Sequence, residues 1–332
     1  MKAWHQVTLD DVAKQAKVSA STVSKFLNGY QKFSPETEKR IKEVVEKLGY
    51  QQNPMARGMA TGRTGMIGFV IMDIFNPNFA MTIRGATREA LESDYNLLVI
   101  DLEQSKNRMR QIEELSRRVD GLILYVPFKA DELPELGKPM IFLGMTEKKE
   151  ITTVRANGYE GAILAARHIF EIGRKKLVYV GYPDVVWNKF RIRGILKALK
   201  GTDVEFEVWN VESLTVEAGK QIAEQLFSGE NRPDAIIACN DLLAIGVMHG
   251  AHEMGLNIPE DVAVMGFDNV ILSRYVFPPL STIDMHAEKV GECAIRKMLE
   301  MIDQKKNKPE KILVEPHLVV RGSTVASLIK RS

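Results

Sequence analysis

Apolar positions in the first fifty residues recur at spacings of three and four, the period of a helix packed on one side. Val12, Ala13 and Ala16 share a face behind Thr8-Leu9-Asp10-Asp11. That tetrapeptide reads as a capping box, with Thr8 as N-cap and the Asp11 carboxylate reaching back. Val18 interrupts the pattern, and Ser19 can cap a second helix running to about Leu27. Two short helices joined by about three residues make a helix-turn-helix. Ser34 followed by Pro35 opens a third helix, because serine caps and proline at the first position costs no hydrogen bond. Its apolar residues Ile41, Val44, Val45 and Leu48 keep helical spacing until Gly49 closes it.

Beyond Gly65 the pattern changes to short apolar runs, at 66–72, 97–101, 122–126 and 140–143, then at 177–181, 205–209, 235–239 and 262–267. Runs rich in Val, Ile and Leu, separated by helical stretches, predict parallel sheets covered by helices. Two such series predict two doubly wound subdomains. Ligands of such folds sit at the carboxyl ends of the strands. The residues there are Asp73, Phe75, Asn76 and Phe79, then Trp187 and Arg191, then Asn240, and then Asp268. Aromatic walls with Asp, Asn and Arg suit a polyhydroxylated ligand. The plainer alternative makes Asn240 and Asp268 helix caps and Phe79 and Trp187 ordinary core.

Charge separates the two regions. The chain of 332 residues has a net charge of +2, but the stretch through Arg63 carries 11 Lys or Arg against 6 Asp or Glu, and the rest 34 against 37. A basic head on a mildly acidic body suits a polyanionic partner at the head. The second helix would offer Ala20, Ser21, Thr22, Ser24, Lys25 and Asn28 to it, small and hydroxylated side chains that admit a groove and bond phosphates or base edges. A solvated face of a plain three-helix bundle is the alternative. The two cysteines, Cys239 and Cys293, lie in apolar stretches, which fits a reduced compartment rather than a disulfide scaffold. The N-terminus has no apolar signal region and no run is long enough to span a membrane, so a cytoplasmic protein is expected.

Reaction chemistry is hard to find. Neither GxGxxG nor GxxxxGK[ST] occurs, and His249 and His252 have no third ligand at metal spacing. No cofactor, metal or catalytic residue is expected.

The segments TLDDVAKQAKVSASTVSKFLNG and FSPETEKRIKEVVEKLGYQQNPMARGMATGRT resemble the head of the LacI–GalR family of bacterial repressors. The likeness continues in order through IGFVIMDIFNPNF, RGATREA, CNDLLAIGV, VAVMGFDN and PPLSTID. It implies a recognition helix over 19–27, with Ala20, Ser21 and Lys25 at base edges, Thr22, Ser24 and Asn28 near phosphates, and Ser19 in the same DNA-facing set. Thr8, Asn53, Ala56, Arg57 and Met59 join the expected DNA-facing set. The last four belong to a hinge helix at 53–60, where Met59 stands at the position of an apolar wedge in the minor groove. Arg191, Asn240 and Asp268 become polar effector contacts and Phe79 and Trp187 stacking walls, with Asp73, Phe75 and Asn76 beside them.

Several positions depart from the family pattern. Lys25 replaces the usual Arg and loses its planar fork. Lys17 replaces a turn glycine, and a side chain at positive φ is strained. Asn157 stands where Asp is usual, and Leu214 where a lactose-responsive member has Trp.

The expected architecture is therefore an N-terminal all-α helix-turn-helix head plus an α/β periplasmic-binding-protein-like body of two doubly wound parallel-sheet subdomains. The head spans 1–50, the hinge 51–63 and the body 64–332. Within the body, one subdomain takes about 64–156 and 285–314, the other about 157–284 and 315–328. The expected protein is an effector-responsive repressor, a homodimer binding palindromic double-stranded operator DNA and a sugar or sugar derivative. Helices near 79–91 and 242–254 are the dimerisation candidates. The alternatives are a regulator answering to a purine or a phosphocarrier protein, and a soluble sugar-binding protein without DNA function.

Overall fold

The computed structural model describes residues 7–30, 32–50, 62–126, 133, 136–146, 149–182, 186–304 and 308–326. The expected hinge helix, with Asn53, Ala56, Arg57 and Met59, lies outside the described residues. The chain divides into two units, one of residues through Met66 with Arg118–Asp120, the other of Ile67–Arg117 and Gly121–Ser332.

In the first unit, α1 (Leu9–Ala16), α2 (Ala20–Leu27) and α3 (Pro35–Leu48) each begin at the residue the sequence marks. The Asp11 amide donates to Thr8 Oγ1 at 3.3 Å and the Thr8 amide to Asp11 Oδ2 at 2.9 Å, completing the capping box. Ser19 Oγ accepts the Thr22 amide at 3.1 Å, and Ser34 Oγ accepts that of Thr37 at 3.3 Å. Val12, Ala13, Ala16, Val23 and Ile41 form the buried centre, flanked by Val18, Ala20, Val44, Val45 and Leu48. Lys17 ends α1 at φ 54°, ψ 44°, the left-handed conformation that glycine would hold without strain.

The second unit contains two six-stranded sheets. The first runs β11-β5-β4-β3-β1-β2, with β1 (Met66–Ile71), β2 (Asn96–Asp101), β3 (Gly121–Leu124), β4 (Met140–Phe142), β5 (Thr152–Ala156) and β11 (Lys311–Val314). The second runs β12-β10-β9-β8-β6-β7, with β6 (Lys176–Gly181), β7 (Glu205–Asn210), β8 (Ala235–Ala238), β9 (Ala263–Phe267), β10 (Ser281–Asp284) and β12 (His317–Val319). All eight expected apolar runs are strands. β12 pairs antiparallel with β10, an edge addition to an otherwise parallel sheet.

Helices cover these sheets in close pairs. Near the first lie α4 (Pro77–Glu92), α5 (Arg108–Ser116) and α10 (Ala287–Asp303); near the second lie α6 (Gly158–Glu171), α7 (Val186–Leu199), α8 (Val216–Phe227) and α9 (Asp241–Glu253). α10 packs on α4 and α9 on α8. Both pairs meet backbone to backbone through glycine. A Cβ on Gly291 would stand 2.1 Å from the Thr82 carbonyl oxygen, and one on Gly246 2.0 Å from that of Val216. Ile295 and Met298 of α10 are fully buried, with Leu299 and Ile302 packed partly buried beside them.

The chain passes between the sheets three times: after β5 into α6, after β10 into α10, and from β11 to β12. The crossing segments are tied together. Asn157 Nδ2 lies 3.3 Å from Glu315 Oε2, and His286 Nε2 lies 2.9 Å from His317 Nδ1.

Candidate functional site

On the head, α2 presents Ser21, Lys25 and the capping Asn28 to solvent, while Thr22 and Ser24 are half-buried. Ala20 turns partly into the core. Ser19 Oγ lies 2.8 Å from both Ser21 Oγ and Thr22 Oγ1, so the N-terminal end of the helix carries a small cluster of hydroxyls. The Lys25 ammonium sits 5.9 Å from the centre of the Tyr30 ring, which holds the side chain along one edge of the helix. Thr8 acts as the cap of α1.

In the body, the carboxyl ends of β1, β3, β6, β8 and β9 hold the other set. Arg191 is buried on α7. Its guanidinium carbon lies 4.7 Å from the centre of the Trp187 ring and 4.1 Å from that of Phe267, so the cation is stacked between two aromatic rings. It donates to the Cys239 carbonyl at the end of β8, while its buried Nε meets no acceptor among the described residues. Both Trp187 and Arg191 lie within the first turns of α7, which begins at Val186.

Asp268 follows β9 and is buried. Burial pushes its carboxyl up to about 6, the Arg191 charge opposing, and a hydrogen bond from Asn78 also favours the ionised form. Asn78, buried near the start of α4, accepts the Tyr125 hydroxyl at 3.2 Å. The Tyr125 ring meets Phe79 edge-on with centres 4.6 Å apart. Asn78, Phe79 and Tyr125 thus face Asp268 from the first lobe. Asp268 and Asn269 both adopt positive φ, 107° and 53°, rare for side-chain-bearing residues. Neighbours hold this turn: Asp268 N donates to Ile283 O at 2.8 Å, and Asn269 Nδ2 to Asp284 Oδ2 at 2.8 Å.

Beneath the turn lies Asp241, fully buried, accepting the Thr282 hydroxyl at 2.6 Å and the Val270 amide at 2.8 Å. Burial and then the nearby Asp268 hold its carboxyl well above the usual range.

The remaining expected effector residues also make bonds within the protein. Asn240 Oδ1 accepts the Leu243 amide at 2.8 Å and its Nδ2 donates to Leu214 O at 3.2 Å, so the helix-cap reading describes its contacts. Asp73 accepts the Phe75 amide at 2.9 Å and Asn76 the Asn78 amide at 3.0 Å, shaping the loop into α4. Phe75 is 90% exposed. Asn78, Tyr125 and Asp241 escaped sequence reasoning. Tyr125 directly follows β3, so the rule that pointed to Asp73 and Asp268 also points to it.

Comparison with known proteins finds relatives of both the head and the body. Residues 8–53 match the family described as bacterial regulatory proteins, lacI family, and residues 166–324 match the periplasmic binding protein-like domain. The HTH-type transcriptional repressor PurR of Mannheimia succiniciproducens is 31% identical over 327 residues, 95% of this chain and 98% of that protein. A solved complex of the transcriptional regulator CelR with cellobiose is 25% identical, with a TM-score of 0.73 over 96% of this chain and 99% of the other. The lac repressor dimer bound to operator and the anti-inducer ONPF has a TM-score of 0.83 over 96% of this chain and 99% of its own, at 23% identity, a likeness of fold.

A helix-turn-helix head on a two-lobed binding body defines a ligand-controlled transcription regulator. This chain belongs to the LacI family of bacterial regulatory proteins. It is a repressor of that family with an effector-binding body, and not an enzyme. Among the described residues no helix is long and apolar enough to cross a membrane.

Proposed function

We propose that the chain works as a homodimer on a palindromic operator and that a sugar or sugar derivative, bound between the two lobes, sets its affinity for DNA. The observation that carries this reading is the buried Arg191, stacked on Trp187 and Phe267 with its charge felt by the buried Asp268, which Asn78 meets from beside Tyr125 and Phe79. A carboxylate accepts from hydroxyls and the unpartnered Arg191 Nε donates to an oxygen, while flat rings cover the apolar face of a pyranose. The cellobiose complex of CelR supports the same ligand class. Asn240 serves as a further polar contact and Asp73, Phe75 and Asn76 as the rim.

At the head, Ser21 and Lys25 reach base edges with Ala20 against them, and Ser19, Thr22, Ser24 and Asn28 contact phosphates, with Thr8 at the helix start beside them. A two-fold dimer places two such helices in successive major grooves. An exposed apolar group at Ile271, Leu272, Tyr275 and Phe277, the last two each 78% exposed, supports a second copy as the dimer partner.

A purine nucleobase is the second reading, favoured by the likeness to the repressor named PurR. The deciding experiment is operator binding by full-length protein, read by fluorescence anisotropy and titrated with sugars and purines. A sugar that shifts a specific complex supports the proposal. A shift by purines alone replaces the effector, and the absence of any specific DNA complex removes the reading of the head.

A further inference from the structure

Two histidines and an aspartate meet where the chain crosses between lobes. Asp284 ends β10, His286 stands just before α10, and His317 begins β12 after the crossing from β11. One ligand atom from each of the three lies within 4.8 Å of the others. His317 Nδ1 and His286 Nε2 are 2.9 Å apart, and the remaining imidazole nitrogens face the Asp284 carboxylate, His286 Nδ1 at 3.8 Å from Oδ1 and His317 Nε2 at 4.0 Å from Oδ2.

We propose that Asp284, His286 and His317 form a binding site for one divalent transition metal of the zinc class, bridging two of the three segments that join the lobes. Imidazole nitrogens bind zinc at about 2.0 Å, and two of them on one tetrahedral ion stand roughly 3.3 Å apart. One nitrogen of each ring and a carboxylate oxygen, all within 4.8 Å of one another, need to draw together by up to about 1.5 Å, within the reach of side-chain rotation. Two imidazoles with one carboxylate select zinc, nickel or copper over magnesium and calcium, which prefer all-oxygen shells.

The carboxylate is already oriented. Asp284 Oδ1 accepts the His286 amide at 2.7 Å, and Oδ2 accepts Asn269 Nδ2 at 2.8 Å, with a lone pair left on each oxygen. Such outer bonds fix a ligand in place before the metal arrives. His286 is held at φ 50°, and its ring centre lies 4.7 Å from that of His317. The side chain of His317 is 53% exposed, leaving the fourth coordination position open to solvent.

Asn269 neighbours Asp268, so an ion here would be two residues' contact away from the effector carboxylate. By pinning the second crossing to the third, it would restrict the movement of one lobe against the other.

The test uses full-length protein stripped with EDTA, desalted and titrated calorimetrically with zinc chloride. The expected result is saturable uptake of one equivalent, unaffected by excess magnesium and weakened at least about tenfold in both His317→Ala and His286→Gln. Zinc-edge X-ray absorption of the wild type supplies a measurement independent of either variant's folding, with two imidazole nitrogens and an oxygen expected in the first shell. No saturable uptake overturns the proposal. So does uptake undiminished in both variants, or sulfur in the first shell, which would place the ion at a cysteine.

Discussion

Asn78 of the first lobe hydrogen-bonds the carboxylate of Asp268 in the second, and so the group proposed to read an effector also joins the two lobes. A hydroxyl that takes the place of Asn78 beside Asp268 would exchange a bond within the protein for one to ligand. On the proposed reading, effector and lobe contact compete for the same oxygen atoms.

The titration of Asp268 gives this competition a pH signature. Its carboxyl is raised from 3.8 to about 6, mainly by burial. The folded chain therefore holds a proton in that window that the unfolded chain has released, and the stability contributed by this group falls as pH rises from about 4 to 6. Effector binding to the carboxylate runs the other way: affinity is full above about 6 and falls by up to about tenfold per pH unit below it. Calorimetry at pH 7.5 and 5 should show the decline, and Asp268→Asn should bind weakly with a flat profile.

Arg191→Lys tests the stacked guanidinium. Lysine retains the charge but loses the planar group between Trp187 and Phe267 and the bidentate reach of Nε. Effector affinity should fall by roughly 10- to 100-fold, equivalent to about 1–3 kcal/mol for the lost buried bonds. Operator affinity without effector should change little, which anisotropy would confirm.

Lys17→Gly should stabilise the head. The residue sits at φ 54° with its side chain exposed, so glycine removes strain without removing a packed group. A gain of about 0.5–1 kcal/mol is expected in thermal unfolding of the head.

Gly246→Ala should do the reverse in the body. Its Cβ would fall 2.0 Å from a backbone oxygen of α8, which cannot move as a side chain can. A loss of about 3 kcal/mol or more is expected, at the top of the range for overpacking, and differential scanning calorimetry would measure it.

For operator recognition, Lys25→Ala should weaken specific binding by about 1–3 kcal/mol and relax preference at one base pair of each half-site. Binding to a set of single-base operator variants checks this. A uniform loss across all sequences would instead assign Lys25 to a phosphate.

What could be read from the residues was what they settle locally. Thr8, Ser19 and Ser34 cap helices because their side chains reach amides three positions on, and the six interior apolar runs became strands because burial on both faces demands continuous hydrophobicity, while the runs of β2 and β7 stand exposed at the sheet edges. Even the strain at Lys17 followed from its place in the turn. The lobe-to-lobe contacts were not legible in this way. Asn78, Tyr125 and Asp268 come together only through the arrangement of two sheets, and the bond from Asn240 to the Leu214 carbonyl joins positions that no local pattern links. His286 and His317, 31 positions apart, have no spacing that a metal motif would recognise.

The last described strand has a consequence for synthesis. β12 closes the edge of the second sheet, and just beyond it the Ser323 hydroxyl donates to Val264 O at 2.6 Å while accepting the Ser281 amide at 2.8 Å. These residues leave the ribosome after everything they seal. The three helices of the head, stabilised by neighbours within fifty positions of one another, can form while the second lobe still lacks its final edge. A nascent chain therefore carries its DNA-reading surface well before it owns a finished lobe to govern it.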